Sequence, residues 1–182
     1  MRFRLKPAIL ILLSYVAAIT LGTILLILPI SSVEGKLSLI DSIFTATSGI
    51  CVTGLVVVPT GTHFTLFGKL VIMGLIQLGG LGIMTFSTLM FLSVGFRISS
   101  SHRWVIQESF THTPTSDLFP LLRSIFIFTF SVELLGAIIF FFHWHKDFPG
   151  TQGIFYSLFH SISAFCNAGF SLFDQSFLQY RG

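Results

Sequence analysis

Ser42 to Leu55 reads Ser-Ile-Phe-Thr-Ala-Thr-Ser-Gly-Ile-Cys-Val-Thr-Gly-Leu, and Ser157 to Phe170 reads Ser-Leu-Phe-His-Ser-Ile-Ser-Ala-Phe-Cys-Asn-Ala-Gly-Phe. Set side by side at a constant offset of 115 positions (42 to 157, 54 to 169), Ser42 meets Ser157, Phe44 meets Phe159, Ser48 meets Ser163, Cys51 meets Cys166 and Gly54 meets Gly169. Neither stretch has an acidic side chain. What both can offer a ligand is main-chain oxygen. A cation that crosses a bilayer loses its water, and backbone carbonyls can replace that shell without putting a full charge in the membrane. Successive carbonyls turn the same way only where the backbone visits unusual dihedrals, which glycine permits, and one glycine ends each strip. A short helix before each strip adds its partly negative C-terminal end. Such a site suits weakly hydrated monovalent cations better than Ca²⁺ or Mg²⁺, which take carboxylates or keep their waters.

The elements that hold these strips must lie in a membrane. Of the 182 residues, 53% are hydrophobic and only 9% charged, where a soluble domain has about a quarter charged. The net charge of +3 is small and suggests no nucleic-acid partner. From Pro7 to Val33 no residue is charged. As a helix this run would be roughly 40 Å long, enough to cross the ~30 Å hydrocarbon core, and it ends near Pro29. It is too long for a signal-peptide core and reads as a retained span. After a polar turn from Ser31 to Lys36, Leu37–Ser48 is too short to cross. It reads as a re-entrant half-helix, broken by Gly49 and followed by an extended strip from Ile50 to Val58 and a turn at Pro59–Thr62. Leu70–Phe96 is a second charge-free run, with Gly74, Gly79, Gly80 and Gly82 inside it. Arg97–Asp117 is polar; Ser99-Ser100-Ser101 can cap a short helix through about Phe110, stopped by Pro114. Leu118–Trp144 is a third span, His143–Thr151 a polar return, Gln152–Ala164 a second half-helix and Phe165–Gly169 a second strip.

The expected fold class is therefore all-α integral membrane, built of repeated helix–pore loop–helix units. Residues 1–97 form one complete unit, 98–117 a cytoplasmic connection, and 118–182 a second unit without its closing helix. Lys and Arg in the short loops give the orientation. Arg2, Arg4, Lys6, Arg97, Arg103 and Arg123 mark one side, and Lys36, Lys69, Lys146 and Arg181 the other. That bias puts the N-terminus in the cytoplasm of a multi-pass protein of the cytoplasmic membrane, with both strips open to the outside.

Several side chains carry two readings each. Glu133, an acid deep inside a span, belongs either to an ion pathway or to a structural hydrogen bond. Gln77 can bond across helices. The glycines of the second span serve close packing or a bend. Cys51 and Cys166 point behind the strips as small buried hydrophobes and do not bridge. His143 and His145 flank Trp144 as a metal site or, with the better fit, as anchors in an aromatic belt. His160, which stands where Thr45 stands in the first copy, is a polar packing partner. Trp104–Phe110 is a docking surface or a plain connection. The sequence has no nucleophile–base set, metal-ligand spacing or phosphate-binding loop, so neither an enzyme nor a cofactor is expected.

Thr47 to Thr62, Gly74 to Phe86 and Phe159 to Ser171 resemble the first pore loop, the following helix and the second pore loop of KtrB/TrkH-type potassium transporters of the Trk/Ktr/HKT superfamily. The resemblance covers essentially the whole chain and is closest to the N-terminal portion of KtrB. It implies four helix–loop–helix repeats around one pore, of which repeats three and four are missing here. It implies filter positions at Cys51, Val52, Thr53 and Gly54, and at Cys166, Asn167, Ala168 and Gly169, binding K⁺ or Na⁺ as the transported ion. It also implies a homodimer docked on a cytosolic nucleotide-binding ring of the KtrA type, with the remaining repeats and the lipid bilayer as further partners. The expected function is potassium uptake, passive or coupled to sodium. The alternatives are a mainly sodium-conducting member of the same fold and a non-conducting truncated fragment.

Overall fold

The structure is a computed structural model that describes residues 7–82, 85 and 118–173. The described residues are all-helical: α1 (Pro7–Ile27), a 3₁₀ turn (Pro29–Ser31), α2 (Leu39–Ile50), α3 (Thr60–His63), α4 (Leu66–Gly80), α5 (Leu118–Trp144) and α6 (Thr151–Phe165). Among these residues no strand forms; Ser32 and Phe64 make an isolated antiparallel bridge.

Local chemistry fixes where the helices start and stop. Pro29, which lacks an N–H, follows α1, and the Ser31 hydroxyl turns back to donate to the Leu25 carbonyl, one of the orphan acceptors at the helix end. Ser38 caps α2: its hydroxyl accepts from the Asp41 N–H at 3.1 Å and donates to the Asp41 carboxylate at 2.7 Å. Thr65 caps α4 by accepting from the Gly68 N–H at 3.3 Å. The same Thr65 hydroxyl donates to the Ile30 carbonyl at 2.6 Å, so the start of α4 is pinned to the turn that ends α1.

α1 packs on α2, and α5 packs on α6. α4 lies between the two pairs and touches α1, α2 and α6. The shared core runs from Leu26, Ala46 and Ile50 through Ile72 and Ile76 to Phe159 and Ala168. The outward faces are apolar as well: on α5, Phe128 and Phe142 are 65% and 70% exposed. Over Leu122–Trp144, α5 is long and apolar enough to cross a membrane.

Three expectations about the elements change. α2 begins and ends two residues later than the half-helix read from the sequence, and Gly49 does not break it. A Cβ at Gly49 would lie 3.2 Å from that of Leu75, so the glycine serves a close approach to α4 rather than a stop. The turn at Pro59–Thr62 is a short helix, α3, with Pro59 as its N-cap. Within the second span the regular helix α4 ends at Gly80, with Gly82 in the left-handed region at φ +73°. Beyond Gly82, all of that span but Thr85 lies outside the described residues. So do the N-terminal basic residues Arg2, Arg4 and Lys6, the polar stretch from Arg97 with its Trp104–Phe110 segment, and Arg181.

Candidate functional site

The repeat seen in the sequence recurs as one hydrogen-bond pattern. At the end of α2, the Cys51 N–H donates to the Thr47 carbonyl (2.9 Å), Val52 to Gly49 (3.3 Å) and Thr53 to Ser48 (3.0 Å). At the end of α6, Cys166 donates to Ile162 (2.9 Å), Asn167 to Ala164 (3.0 Å) and Ala168 to Ser163 (2.8 Å). Each bond maps onto its counterpart at the same offset. The closing pair of bonds is a Schellman turn, which needs a left-handed residue just past the helix cap. Val52 and Asn167 fill that place, both at φ +55°. Two residues on, Gly54 and Gly169 return to the left-handed region at φ +74° and +73°. The strips are therefore not simply extended. Ile50 and Phe165 are still helical, and the backbone beyond Cys51 and Cys166 is left-handed at alternate residues.

Valine is a poor choice for a left-handed residue, because its branched Cβ crowds the backbone; asparagine tolerates it. The first turn is thus held in a costly conformation by its surroundings. The Thr53 hydroxyl donates to the Ser48 hydroxyl at 3.0 Å, across the turn. In the second turn the Ser163 hydroxyl donates to the Phe170 carbonyl at 2.7 Å. Deeper in each helix, Ser42 and Ser157 bond back to the carbonyls of Ser38 and Gly153.

The two strips meet at their glycines. A Cβ on Gly54 would lie 2.5 Å from the Ala168 carbonyl oxygen and 2.9 Å from the Gly169 Cα. A side chain at Gly54 collides with the second strip, and a Cβ on Gly169 would make a tight contact, 3.2 Å from the Gly54 Cα. Ala168 is fully buried, while Cys51, Thr53, Asn167 and Gly169 are exposed and Val52, Gly54 and Cys166 half-buried. Cys51 is therefore not the buried hydrophobe expected of it. Its strip leaves the helix through a turn, and no described element covers the thiol. Cys166 is packed: its sulfur sits where a Cβ on Gly80 would be. Both cysteines are free thiols.

α4 backs both strips. A Cβ on Gly79 would fall on the Ile50 carbonyl, just as one on Gly80 would fall on Cys166. Of the two readings of this glycine cluster, close packing holds at Gly79 and Gly80 and a bend at Gly82. Gln77, three residues before Gly80, donates from Nε2 to Glu133 Oε1 at 2.9 Å, which is the cross-helix bond expected of it. Glu133 is 2% exposed, and its main-chain carbonyl accepts from the Ser161 hydroxyl of α6.

His160 is the packing partner anticipated. Its Nε2 accepts from the Leu172 N–H at 3.2 Å, so Nδ1 carries the proton and donates to the Tyr156 carbonyl at 2.8 Å. Its ring stacks on Phe173, with centroids 4.6 Å apart. Trp144 departs from expectation. It is 2% exposed and packs edge-on against both His160 and Phe173, so it belongs to the core behind the second strip and not to an aromatic belt. His143 and His145 are exposed on either side of it. Among the described residues no group of three or more His, Cys, Asp or Glu could hold a metal ion.

Residues 4–182 match the family model described as TrkH, cation transport protein. The chain belongs to the TrkH cation transport protein family. Within it, the chain is 43% identical over 179 residues to the Ktr system potassium uptake protein B of Bacillus subtilis, covering 98% of this chain and 40% of that protein. It is 43% identical over 170 residues to the protein of the same name from Vibrio alginolyticus, covering 93% and 37%. It is 38% identical over 178 residues to the potassium/sodium uptake protein NtpJ of Enterococcus hirae, covering 97% and 40%. The chain thus spans about two fifths of the length of these TrkH-family relatives. All three are named as uptake proteins rather than enzymes.

The residues read as strip positions from the sequence are brought together, Gly54 against Gly169. The left-handed placement of Val52 was not legible, since nothing in a Val-Thr-Gly run announces it. Asn167 at the matching place was the available hint. The roles of Gly79 and Gly80 as backing for the strips could have been sought in the adjacent Gly-Gly pair.

Proposed function

We propose that this chain forms part of the ion pathway of a potassium uptake system in the cytoplasmic membrane. The observation that carries the reading is the pair of superposable helix-end turns whose terminal glycines, Gly54 and Gly169, touch. Left-handed residues at alternate positions are the condition under which neighbouring peptide oxygens face one way. The strips Cys51–Gly54 and Cys166–Gly169 are then filter segments, and a partly dehydrated monovalent cation is held by their carbonyls and not by side chains. The C-terminal ends of α2 and α6 both point their negative dipole ends at the strips.

In this reading α2 and α6 are half-helices that enter the membrane from outside, and α1, the helix begun by α4, and α5 are spans. The units are residues 1–97 and 118–182, joined by a cytoplasmic connection at 98–117, with the N-terminus in the cytoplasm. A pore closed by two strips alone is incomplete, so further repeats complete it. The relatives named as members of Ktr systems support a protein that works within a system, and the proposed arrangement is a homodimeric transporter on a cytosolic nucleotide-binding ring of the KtrA type.

The name of the Enterococcus relative, a potassium/sodium uptake protein, favours a second reading in which sodium is carried as well or instead. A full-length transporter containing this chain, expressed in cells that lack their own potassium uptake, separates the two. Growth and potassium accumulation at low external potassium are expected. Sodium uptake without potassium uptake would overturn the first reading and support the second.

A further inference from the structure

The joint between Gln77 on α4 and Glu133 on α5 places two polar side chains together among apolar helices, and its hydrogen-bond count does not balance. Gln77 Nε2 donates to Glu133 Oε1 at 2.9 Å. Glu133 Oε2 and Gln77 Oε1 are both buried and have no hydrogen-bond partner. A carboxylate is acceptor-only, and so is an amide oxygen. Two acceptors on adjacent, mutually bonded groups are left with no donor. An ionised carboxylate buried this way is costly, and a buried group without a counter-charge ordinarily neutralises instead. Glu133 is 2% exposed in this chain by itself, and any repeat packed around it can only cover it further.

We propose that Glu133 is held as a neutral carboxylic acid that donates from Oε2 to Gln77 Oε1, closing a two-way acid–amide pair. One proton satisfies both orphaned oxygens at once. The pair joins the helix that closes the first unit to the helix that opens the second. Its placement ties it to the second strip from two directions. Gly80, one turn along α4 from Gln77, seats the Cys166 sulfur. Ser161, on α6 before the strip, donates to the Glu133 main-chain carbonyl. Glu133 is thus a positioning residue for the second strip and does not itself touch the ion. The proposal concerns the joint and stands whichever monovalent cation the strips carry.

The test uses the full-length transporter containing this chain, with four variants: Glu133→Gln, Glu133→Leu, Gln77→Leu and the exchange Gln77→Glu with Glu133→Gln. Infrared difference spectra between unsubstituted protein and Glu133→Gln should show the carbonyl stretch of a protonated carboxylic acid at neutral pH, lost on substitution. Uptake should stay within about twofold in Glu133→Gln and in the exchange, which keep a two-way pair, and fall by about tenfold in Glu133→Leu and Gln77→Leu, which leave buried polar atoms unmatched. A carboxylate band in place of the acid band would overturn the proposal. So would a loss in Glu133→Gln as deep as in Glu133→Leu, because then the charge matters and Glu133 acts on the ion. The infrared result does not depend on transport, so failure of the potassium reading would leave it intact.

Discussion

The two strips have one backbone and two different supports. In the first, the Schellman turn is closed by a valine at φ +55°, and the nearest side-chain tie is the Thr53–Ser48 hydroxyl pair. In the second, an asparagine takes the same dihedral, and the strip is held by Ser163, by the His160 ring and by the cluster of Trp144 and Phe173 behind it. Position 45 is threonine where position 160 is histidine, and that one difference adds an acceptor for a main-chain N–H twelve residues on. The comparison teaches that the repeated element is the main-chain turn and the paired glycine, while the scaffold behind it has been free to differ. If oxygen from the main chain is the functional group, that is the pattern expected.

The comparison can be broken most severely at His160. His160→Leu keeps the ring's volume roughly but removes the acceptor for the buried Leu172 N–H. Leaving that donor unmatched costs about 1–3 kcal/mol. Thr45→Val in the first copy, which removes a buried hydroxyl at nearly constant volume, should cost much less, since no main-chain group hangs from the threonine side chain by a comparable long-range bond. Thermal unfolding of the full-length transporter in detergent would register the difference. Equal losses at the two positions would mean that the second strip does not depend on its side-chain scaffold.

A smaller effect, of the opposite sign, is expected at Val52. Val52→Asn gives the first turn the residue that the second already has at the same dihedral. Relief of a left-handed β-branched residue should stabilise the protein by about 1 kcal/mol, seen as a modest rise in unfolding temperature with uptake retained. A destabilised Val52→Asn variant would show that the valine side chain is needed for packing against its neighbours and that the two turns are not interchangeable.

Much of this architecture was legible in the residues. The charge-free run from Pro7 gave α1, and α5 runs from Leu118 to Trp144 as read, although it holds Arg123 and Glu133. The Ser, Cys and Gly matches at constant offset gave the repeated turn. What could not be read were features set by tertiary contact. Gly49 looks like a helix breaker, but its role is to let Leu75 approach. Trp144 beside two histidines looks like an interfacial anchor until the second strip folds back over it. The exposure of Cys51 is a matter of what covers its strip, and local pattern does not encode that. Glu133 was marked as an acid out of place, yet only the structure pairs it with Gln77 and shows which oxygens are left over.

Gly54 and Gly169 are left-handed and touch across the two strips. The most direct test is the ratio of potassium to sodium uptake in the full-length transporter with Gly54→Ser and, separately, Gly169→Ser. A serine Cβ strains the backbone at φ above +70° at either position and at Gly54 also collides with the opposite strip, so each substitution should lower total uptake and reduce the preference for potassium. Uptake and preference both unchanged in either variant would contradict the claim that these main-chain turns hold the ion.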